Sequence, residues 1–256
     1  MTPVVRITVI GGTGLIGRKV AARLREAGHE VRAASPSTGV DLVTGAGLDD
    51  ALAGSSVVID VSKPRTYDPD AVWRHFDLAA RTLAGAETRA RVIHHVALSA
   101  VGTERVPQPI PFYRAKAHGE AILRSSGVPF SIVRATQFFE FGAQIGAQAG
   151  GEGTDAARVA DTQVQPIAGD DVAAVLAGLV DEAPSGAATE IAGPDVMPLA
   201  DFVGRCLAAT GDGRAVIADP RTPYFGALID RRELLPGNGA WIAPTRLSDW
   251  LEEPRA

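Results

Sequence analysis

The segment Gly11-Gly12-Thr13-Gly14-Leu15-Ile16-Gly17 follows directly on an apolar run, Arg6–Ile10, and leads into Ile16, Val20, Leu24 and Ala27 at helical spacing. A strand, a tight glycine turn and an amphipathic helix in that order admit few folds. Glycine is favoured there because the turn is tight and the backbone has to approach an anion without a Cβ. The third glycine also lets the helix pack closely on the strand. The N–H groups at the start of the helix then face the pyrophosphate of a dinucleotide. Gly11, Thr13, Gly14 and Gly17 are expected to hold the pyrophosphate, with Leu15 and Ile16 also against the cofactor.

The rest of the chain repeats that rhythm. Short apolar runs at Glu30–Ala34, Val40–Val43, Ser56–Asp60, Arg91–Leu98 and Phe130–Ala135 lack clean alternation, as strands buried on both faces do. Segments of helical spacing lie between them, near Leu48–Ala53, Pro69–Ala84 and Phe112–Ser125. Strands alternating with helices predict an α/β, doubly wound parallel sheet of the Rossmann type. Past Ala135 the rhythm loosens. A Gly-rich stretch at Gly142–Gly153 is followed by helices at Asp170–Val180 and Leu199–Thr210, with a strand near Thr189–Ala192 between them. Residues 1–141 are therefore expected to form a dinucleotide-binding core. Residues 142–256 are expected to complete the sheet and form a small C-terminal substrate lobe within one compact unit.

Composition narrows the partners. A formal charge of −5 gives no basic face for nucleic acid, and 46% hydrophobic residues suit an ordinary globular core. No apolar run approaches the roughly 18 residues of a membrane span, and the first ten residues read as a core strand rather than a leader. The single cysteine, Cys206, agrees with a reducing compartment. The expectation is a cytoplasmic protein acting on a small molecule, without nucleic-acid or membrane contact; its oligomeric state is left open. Arginine supplies nearly all the positive charge, and Lys19, Lys63 and Lys116 are the only lysines.

Which dinucleotide is bound depends on the end of the second strand. A carboxylate there accepts from a free ribose 2′-hydroxyl. This chain has Ala34-Ser35-Pro36-Ser37-Thr38 instead. Hydroxyls of Ser35, Ser37 and Thr38, with Arg18 or Arg32, suit a 2′-phosphate, so NADP(H) is expected ahead of NAD(H).

With the glycine turn, Ser99, and Phe112-Tyr113-Arg114-Ala115-Lys116 opening a helix, the chain resembles the atypical short-chain dehydrogenase/reductases. It is most similar to their NmrA-like group, which includes NADPH-dependent quinone reductases and catalytically silent cofactor sensors. The resemblance extends over nearly the whole chain, through Pro166-Ile167-Ala168-Gly169-Asp170-Asp171 and Ile191-Ala192-Gly193-Pro194. It implies that Asp41 and Leu42 lie beside the adenine and that Val61 and Ser62 pass behind the cofactor. It also implies that Ala135, Thr136 and Gln137 border the nicotinamide; Gln137 and Phe138, which follow the strand at whose end the ligand crevice opens, are expected toward the substrate together with Phe112.

In that superfamily a tyrosine four residues before a lysine is the general acid, the lysine holds the ribose, and a serine thirteen residues before the tyrosine polarises the substrate carbonyl. Ser99 and Lys116 match; the tyrosine position is Phe112, which has no proton to give. Tyr113 is one residue on, about 100° round the helix, and is the remaining candidate acid. A site without that phenol fits NADPH-dependent reduction of a quinone or enone better than of a ketone. A non-catalytic NADP(H) sensor and an isomerase or cyclase on the same fold are the alternatives. The histidines show no metal spacing; His94 and His95 adjoin on a strand and face opposite sides, so no metal is expected. Tyr224, Phe225 and Trp241 read as lobe core, and Arg231-Arg232 as solvated surface.

Overall fold

The computed structural model describes residues 4–64, 66, 68–105, 110–149 and 156–252. The first half runs β1 (Arg6–Ile10), α1 (Leu15–Glu26), β2 (Glu30–Ala34), α2 (Leu48–Leu52), β3 (Val57–Asp60), α3 (Pro69–Ala90), β4 (His94–Ala100), α4 (Pro111–Ser125) and β5 (Phe130–Ala135). Then follow α5 (Gly142–Ala149), β6 (Ala156–Ala160), β7 (Gln163–Val164), α6 (Gly169–Gly178), β8 (Ala188–Ala192) and β9 (Met197–Pro198). The last elements are α7 (Leu199–Ala209), β10 (Ala215–Asp219), β11 (Trp241–Ile242) and α8 (Leu247–Glu252).

Among the described residues the main sheet has the order β11-β8-β5-β4-β3-β1-β2. β1 pairs in parallel with β2 on one side and β3 on the other, and β3 pairs in parallel with β4. This is the expected doubly wound arrangement. β1 lies inside it, so Ile7, Val9 and Ile10 are all buried and the run shows no alternation. Two further two-stranded sheets, β10-β6 and β7-β9, belong to the second half of the chain.

The chain forms two compact units. One comprises residues 1–99, 111–134 and 172–189; the other comprises 100–110, 135–171 and 190–256. They are interleaved along the sequence rather than meeting at the expected change near residue 142.

Several local expectations are corrected. Val40–Val43 is not a strand. Asp41 Oδ1 accepts from the backbone N–H groups of Val43 and Thr44, at 2.7 and 3.0 Å, and curls the chain into a turn that ends at Gly45 with φ +79°. Val40 and Leu42 still reach the core, which is why the run looked strand-like. α3 continues six residues past Ala84 because Ala86 and Glu87 are buried on its inner side. It ends at Arg91 in the left-handed region, so the next strand starts at His94 rather than Arg91 and contains Ser99. The Gly-rich stretch is helical from Gly142 to Ala149. A Cβ at Gly142 would overlap Cys206 and Phe202, and one at Gly146 would press on Val203 and Leu207 at 2.8 Å, so these glycines permit close packing of α5 on α7. The remainder, through Gly153, lies outside the described residues. Tyr224 is buried as expected, whereas Phe225 and Trp241 are 43% and 44% exposed and are not core. No described helix is long and apolar enough to cross a membrane.

Candidate functional site

The glycine turn is shaped by backbone hydrogen bonds. Gly11 and Gly12 N–H both donate to Ala34 O, at 2.8 and 3.2 Å, and Gly14 N–H donates to Gly11 O at 2.9 Å. Gly11 has φ +76°, and a Cβ there would press on the backbone of Val61 and Ser62 at 3.0 Å. Val61-Ser62 therefore lies directly behind the turn. At Gly12 and Gly17 a Cβ would overlap neighbouring backbone, so these two glycines serve strand–helix packing. Gly14 is different. It is exposed and caps α1, and its absent Cβ would meet only Gly11 O at 3.2 Å. No side chain caps this helix, and its first turn holds no acid, so the N–H groups of Leu15 and Ile16 are left for an outside acceptor. The bare, positive helix end with an open Cα edge at Gly14 fits a pyrophosphate.

At the end of β2, three hydroxyls gather. Thr13 Oγ1 lies 2.9 Å from Ser35 Oγ and 3.3 Å from Ser37 Oγ, and the two serines are 2.8 Å apart. Ser35 and Thr38 form a reciprocal capping box that fixes this corner. The exposed Arg18 donates to Thr13 O at 3.1 Å, which puts its guanidinium beside the hydroxyls. Arg32 donates instead to Asp50 O. Asp41, expected near the adenine, spends one carboxylate oxygen on its own turn, and Leu42 is buried in the core.

The residues matched by the resemblance lie where β3, β4 and α4 meet. Lys116 Nζ donates to Leu98 O at 2.7 Å and sits 4.8 Å over the Phe76 ring. Burial pushes its ammonium below the usual range, against the pull of Asp60 and Glu120. Phe112 packs edge-on against Phe76 at 5.8 Å. Tyr113 is buried, 6% exposed, with its ring edge-on to Phe112. Ser99 Oγ donates to Glu120 Oε1 at 2.6 Å; Arg134 Nε reaches the same oxygen at 3.0 Å and Arg134 Nη2 reaches Oε2 at 2.5 Å. All three side chains are buried, so the serine's one proton is held inside a buried ion pair and is not offered to a substrate carbonyl. His75 also belongs to this group. It is half-buried, its Nε2 has no hydrogen-bond partner, and burial pushes its pKa down while Asp60 and Asp41 pull it up and Lys116 adds to the lowering. Lys63 is exposed and Lys19 half-buried.

In the other unit, Ala135 is buried and Thr136 is anchored by its hydroxyl to Gln165 O at 2.6 Å. Gln165 in turn donates to Gly193 O at 2.7 Å. Gln137 O accepts from Ile167 N–H, and its side-chain oxygen is buried without a partner. Phe138 stacks on Phe141 at 5.5 Å. Glu140 accepts from Gly169 N–H at 3.1 Å.

Sequence reasoning missed Glu120 and Arg134. Glu120 falls on the helix face that also buries Tyr113 and Leu123, and a carboxylate on such a face was the available signal. His94 and His95 do face opposite ways, to Ser131 Oγ at 2.9 Å and Glu87 Oε1 at 2.7 Å. No group of three or more metal-ligating side chains occurs among the described residues.

A family model described as NAD(P)H-binding matches residues 11–183. The (4-alkanoyl-5-oxo-2,5-dihydrofuran-3-yl)methyl phosphate reductase of Streptomyces griseus subsp. griseus is 32% identical over 204 residues, covering 75% of this chain and 69% of that protein. The photosystem II assembly factor Ycf39 of Cyanophora paradoxa is 28% identical over 148 residues, 52% of this chain and 46% of that one, so the chain spans less than half its length. Among solved structures, the dTDP-4-dehydrorhamnose reductase from Bacillus anthracis in complex with NADP aligns with a TM-score of 0.70 at 12% identity, covering 98% of each chain. At that identity the likeness speaks for the fold.

Proposed function

The chain belongs to the NAD(P)H-binding family, and from that premise we propose that it is an NADPH-dependent oxidoreductase of an electrophilic small molecule, an enone or a quinone. The observation that carries this reading is the state of the groups that would otherwise protonate or polarise an acceptor. Phe112 has no proton, Ser99 donates to Glu120, and Tyr113 is buried. When bound, the reduced nicotinamide supplies hydride. An acceptor reduced here takes that hydride without help from these residues, and conjugated, strongly electrophilic acceptors need the least help. The Streptomyces griseus relative supports the same class, because its name specifies an unsaturated lactone bearing an alkanoyl group.

The placement of the chain's own residues supports a role for each. The backbone at Gly14, Leu15 and Ile16 receives the pyrophosphate. Thr13, Ser35 and Ser37 with Arg18 receive a 2′-phosphate, and no carboxylate at that corner repels it. Lys116 keeps two N–H donors beyond the one given to Leu98 O, which suits a ribose hydroxyl.

The test is the purified protein with NADPH or NADH and a panel of quinones, enones and simple ketones, followed by loss of reduced-nicotinamide absorbance. Oxidation with enones or quinones, none with simple ketones, and tighter binding of NADPH than NADH are expected. Tight NADPH binding with no oxidation by any acceptor would favour the second reading, a non-catalytic NADP(H) sensor. The same three residues support that reading, as does the relative named for assembly rather than for a reaction.

A further inference from the structure

Each of the chain's other four histidines commits a ring nitrogen to a protein group. His29 Nδ1 accepts from Val5 N–H at 3.4 Å, His94 Nε2 lies 2.9 Å from Ser131 Oγ, His95 Nδ1 lies 2.7 Å from Glu87 Oε1, and His118 Nε2 lies 2.7 Å from Asp77 Oδ1. His75 departs from that pattern. Its Nε2 is buried and meets no hydrogen-bond partner among the described residues. A buried polar atom left so costs free energy until a group from outside the chain completes it.

The surroundings of His75 say which group that is. On α3 the imidazole stands edge-on to Phe76, with ring centroids 5.2 Å apart, and the Phe76 ring in turn lies under Lys116 Nζ. The charges of Asp60, Lys116 and Asp41 all act on this imidazole. Asp60 is the last residue of β3, Asp41 holds the turn that follows β2, and Lys116 is tied to Leu98 O in β4. His75 is therefore at the carboxyl edge of the sheet, where open α/β sheets hold their ligands.

The parts of a dinucleotide are ordered along that edge. With the pyrophosphate at Leu15 and Ile16 and the 2′-phosphate at Ser35 and Ser37, the adenosine ribose stands at the end of β2. Val40 N–H donates to Ser35 O at 3.0 Å, so the Asp41 turn is the next element past that corner. On the other side, Asp60 Oδ1 accepts from Ser62 N–H at 2.8 Å, and the Ser62 backbone lies behind the glycine turn. All these residues belong to the first compact unit.

We propose that the adenine of the dinucleotide lies between the Asp41 turn and the end of β3, and that His75 Nε2 accepts a hydrogen bond from its 6-amino group. The assignment rests on the dinucleotide placement proposed above and on no particular acceptor. Chemistry selects the amino group. The carboxylates of Asp41 and Asp60 near the imidazole favour an incoming donor and repel an incoming acceptor, and on the adenine edge the 6-amino group donates while N7 accepts. Burial keeps the imidazole's pKa below its ordinary value, so at pH 8 the ring is neutral and able to accept.

The test titrates three ligands by calorimetry into the full chain at pH 8. They are NADPH, its hypoxanthine analogue, in which an oxo group replaces the 6-amino group, and adenosine 2′,5′-bisphosphate, which lacks the nicotinamide half. The unmodified protein is expected to bind NADPH about tenfold more tightly than the hypoxanthine analogue. His75→Phe is expected to weaken NADPH and adenosine 2′,5′-bisphosphate alike, by about tenfold, and to change the hypoxanthine analogue by less than about twofold. His75→Gln, whose carboxamide oxygen accepts in place of Nε2, is expected to hold NADPH within about threefold of the unmodified protein. His75→Leu gives the same reading should the phenyl ring fail to fit. A histidine that served the fold alone would weaken both dinucleotides equally, so their ratio separates the two roles. Equal binding of the two dinucleotides by the unmodified protein overturns the assignment, as does a preference for adenine that survives in His75→Phe. A loss seen with NADPH but not with adenosine 2′,5′-bisphosphate overturns it as well, by moving His75 to the nicotinamide half. No binding of NADPH to the unmodified protein would overturn the dinucleotide placement itself, an outcome distinct from these.

Discussion

Ser99 shows how a residue can sit at a familiar position and do different work. Its hydroxyl donates at 2.6 Å to the buried Glu120, which also holds the buried Arg134 at 2.5 and 3.0 Å and the outer Arg124 at 3.7 Å. Replacing Ser99 by alanine removes one charge-assisted hydrogen bond from a buried carboxylate, a loss of about 1–3 kcal/mol. The expected outcome is a Tm lowered by about 2–4 °C for each kcal/mol. The rate of acceptor reduction by Ser99→Ala is expected to stay within about threefold of the unmodified protein. A serine that polarised the acceptor would instead cost about 10²–10³ in kcat, so thermal unfolding and steady-state kinetics on one variant separate the two roles. Glycine roles were legible in the sequence because each depends on neighbours a few residues away. The fate of Ser99 was not, because the ladder of β4 and β5 has to bring residues 99, 120 and 134 together before the ion pair exists. Only Glu120, a charge on a buried helical stripe, hinted at it.

At the level of the element, the turn and α1 divide their glycines by function. A Cβ at Gly17 would overlap the carbonyl of Gly11, so Gly17→Ala has to push α1 off the turn and is expected to lower Tm by several degrees and abolish NADPH binding. Gly14→Ala meets only one atom, at 3.2 Å, so Tm is expected to move by less than about 2 °C for a chain this size. Its methyl group stands at the bare helix end, and NADPH affinity is expected to fall at least tenfold in a fluorescence titration. Unchanged affinity in Gly14→Ala would remove the pyrophosphate from this helix. A second tie joins α3 to β4. His95 Nδ1 lies 2.7 Å from Glu87 Oε1, and both are buried. Burial pushes this imidazole's pKa down, but the Glu87 carboxylate, its hydrogen bond and Asp60 outweigh it, and the net direction is above 6.5. The folded protein therefore binds this proton more tightly than the unfolded chain does. The tie contributes in full below the unfolded value of 6.5 and fades as pH rises through the higher folded value. The Tm difference between the unmodified protein and His95→Gln should be larger at pH 6 than at pH 9; a difference that grows with pH would show the pair to be neutral. Elements whose periodicity spans ten residues or more were readable. The short run at Val40–Val43 was not, because one Asp41 carboxylate turned an apolar segment away from the sheet.

For the whole molecule, the decisive fact is where the chain passes between its two compact units. The passages fall at residues 99–100, 110–111, 134–135, 171–172 and 189–190. The first lies inside β4, the third inside β5, the fourth inside α6 and the fifth inside β8. This interleaving was hidden in the sequence, where the change near Gly142 marks only the point at which elements shorten. β4 and β5 change unit one residue before their ends and α6 and β8 change unit within their length, so neither unit melts without breaking elements it shares with the other. The two units are therefore expected to unfold together in one calorimetric transition whose van't Hoff and calorimetric enthalpies agree. The dinucleotide contacts proposed for this chain draw on the turn, β2 and α4, all in the first unit. If the molecule is one cooperative body, NADPH at about 100 times its Kd adds about 2.7 kcal/mol to the whole of it. That corresponds to an upward shift of about 5–10 °C in the single transition. Scanning calorimetry with and without NADPH, run beside circular dichroism, checks this. Two separated transitions of which only one moved would mean that strands shared along the chain do not couple the units, and the dinucleotide would then stabilise the first unit alone.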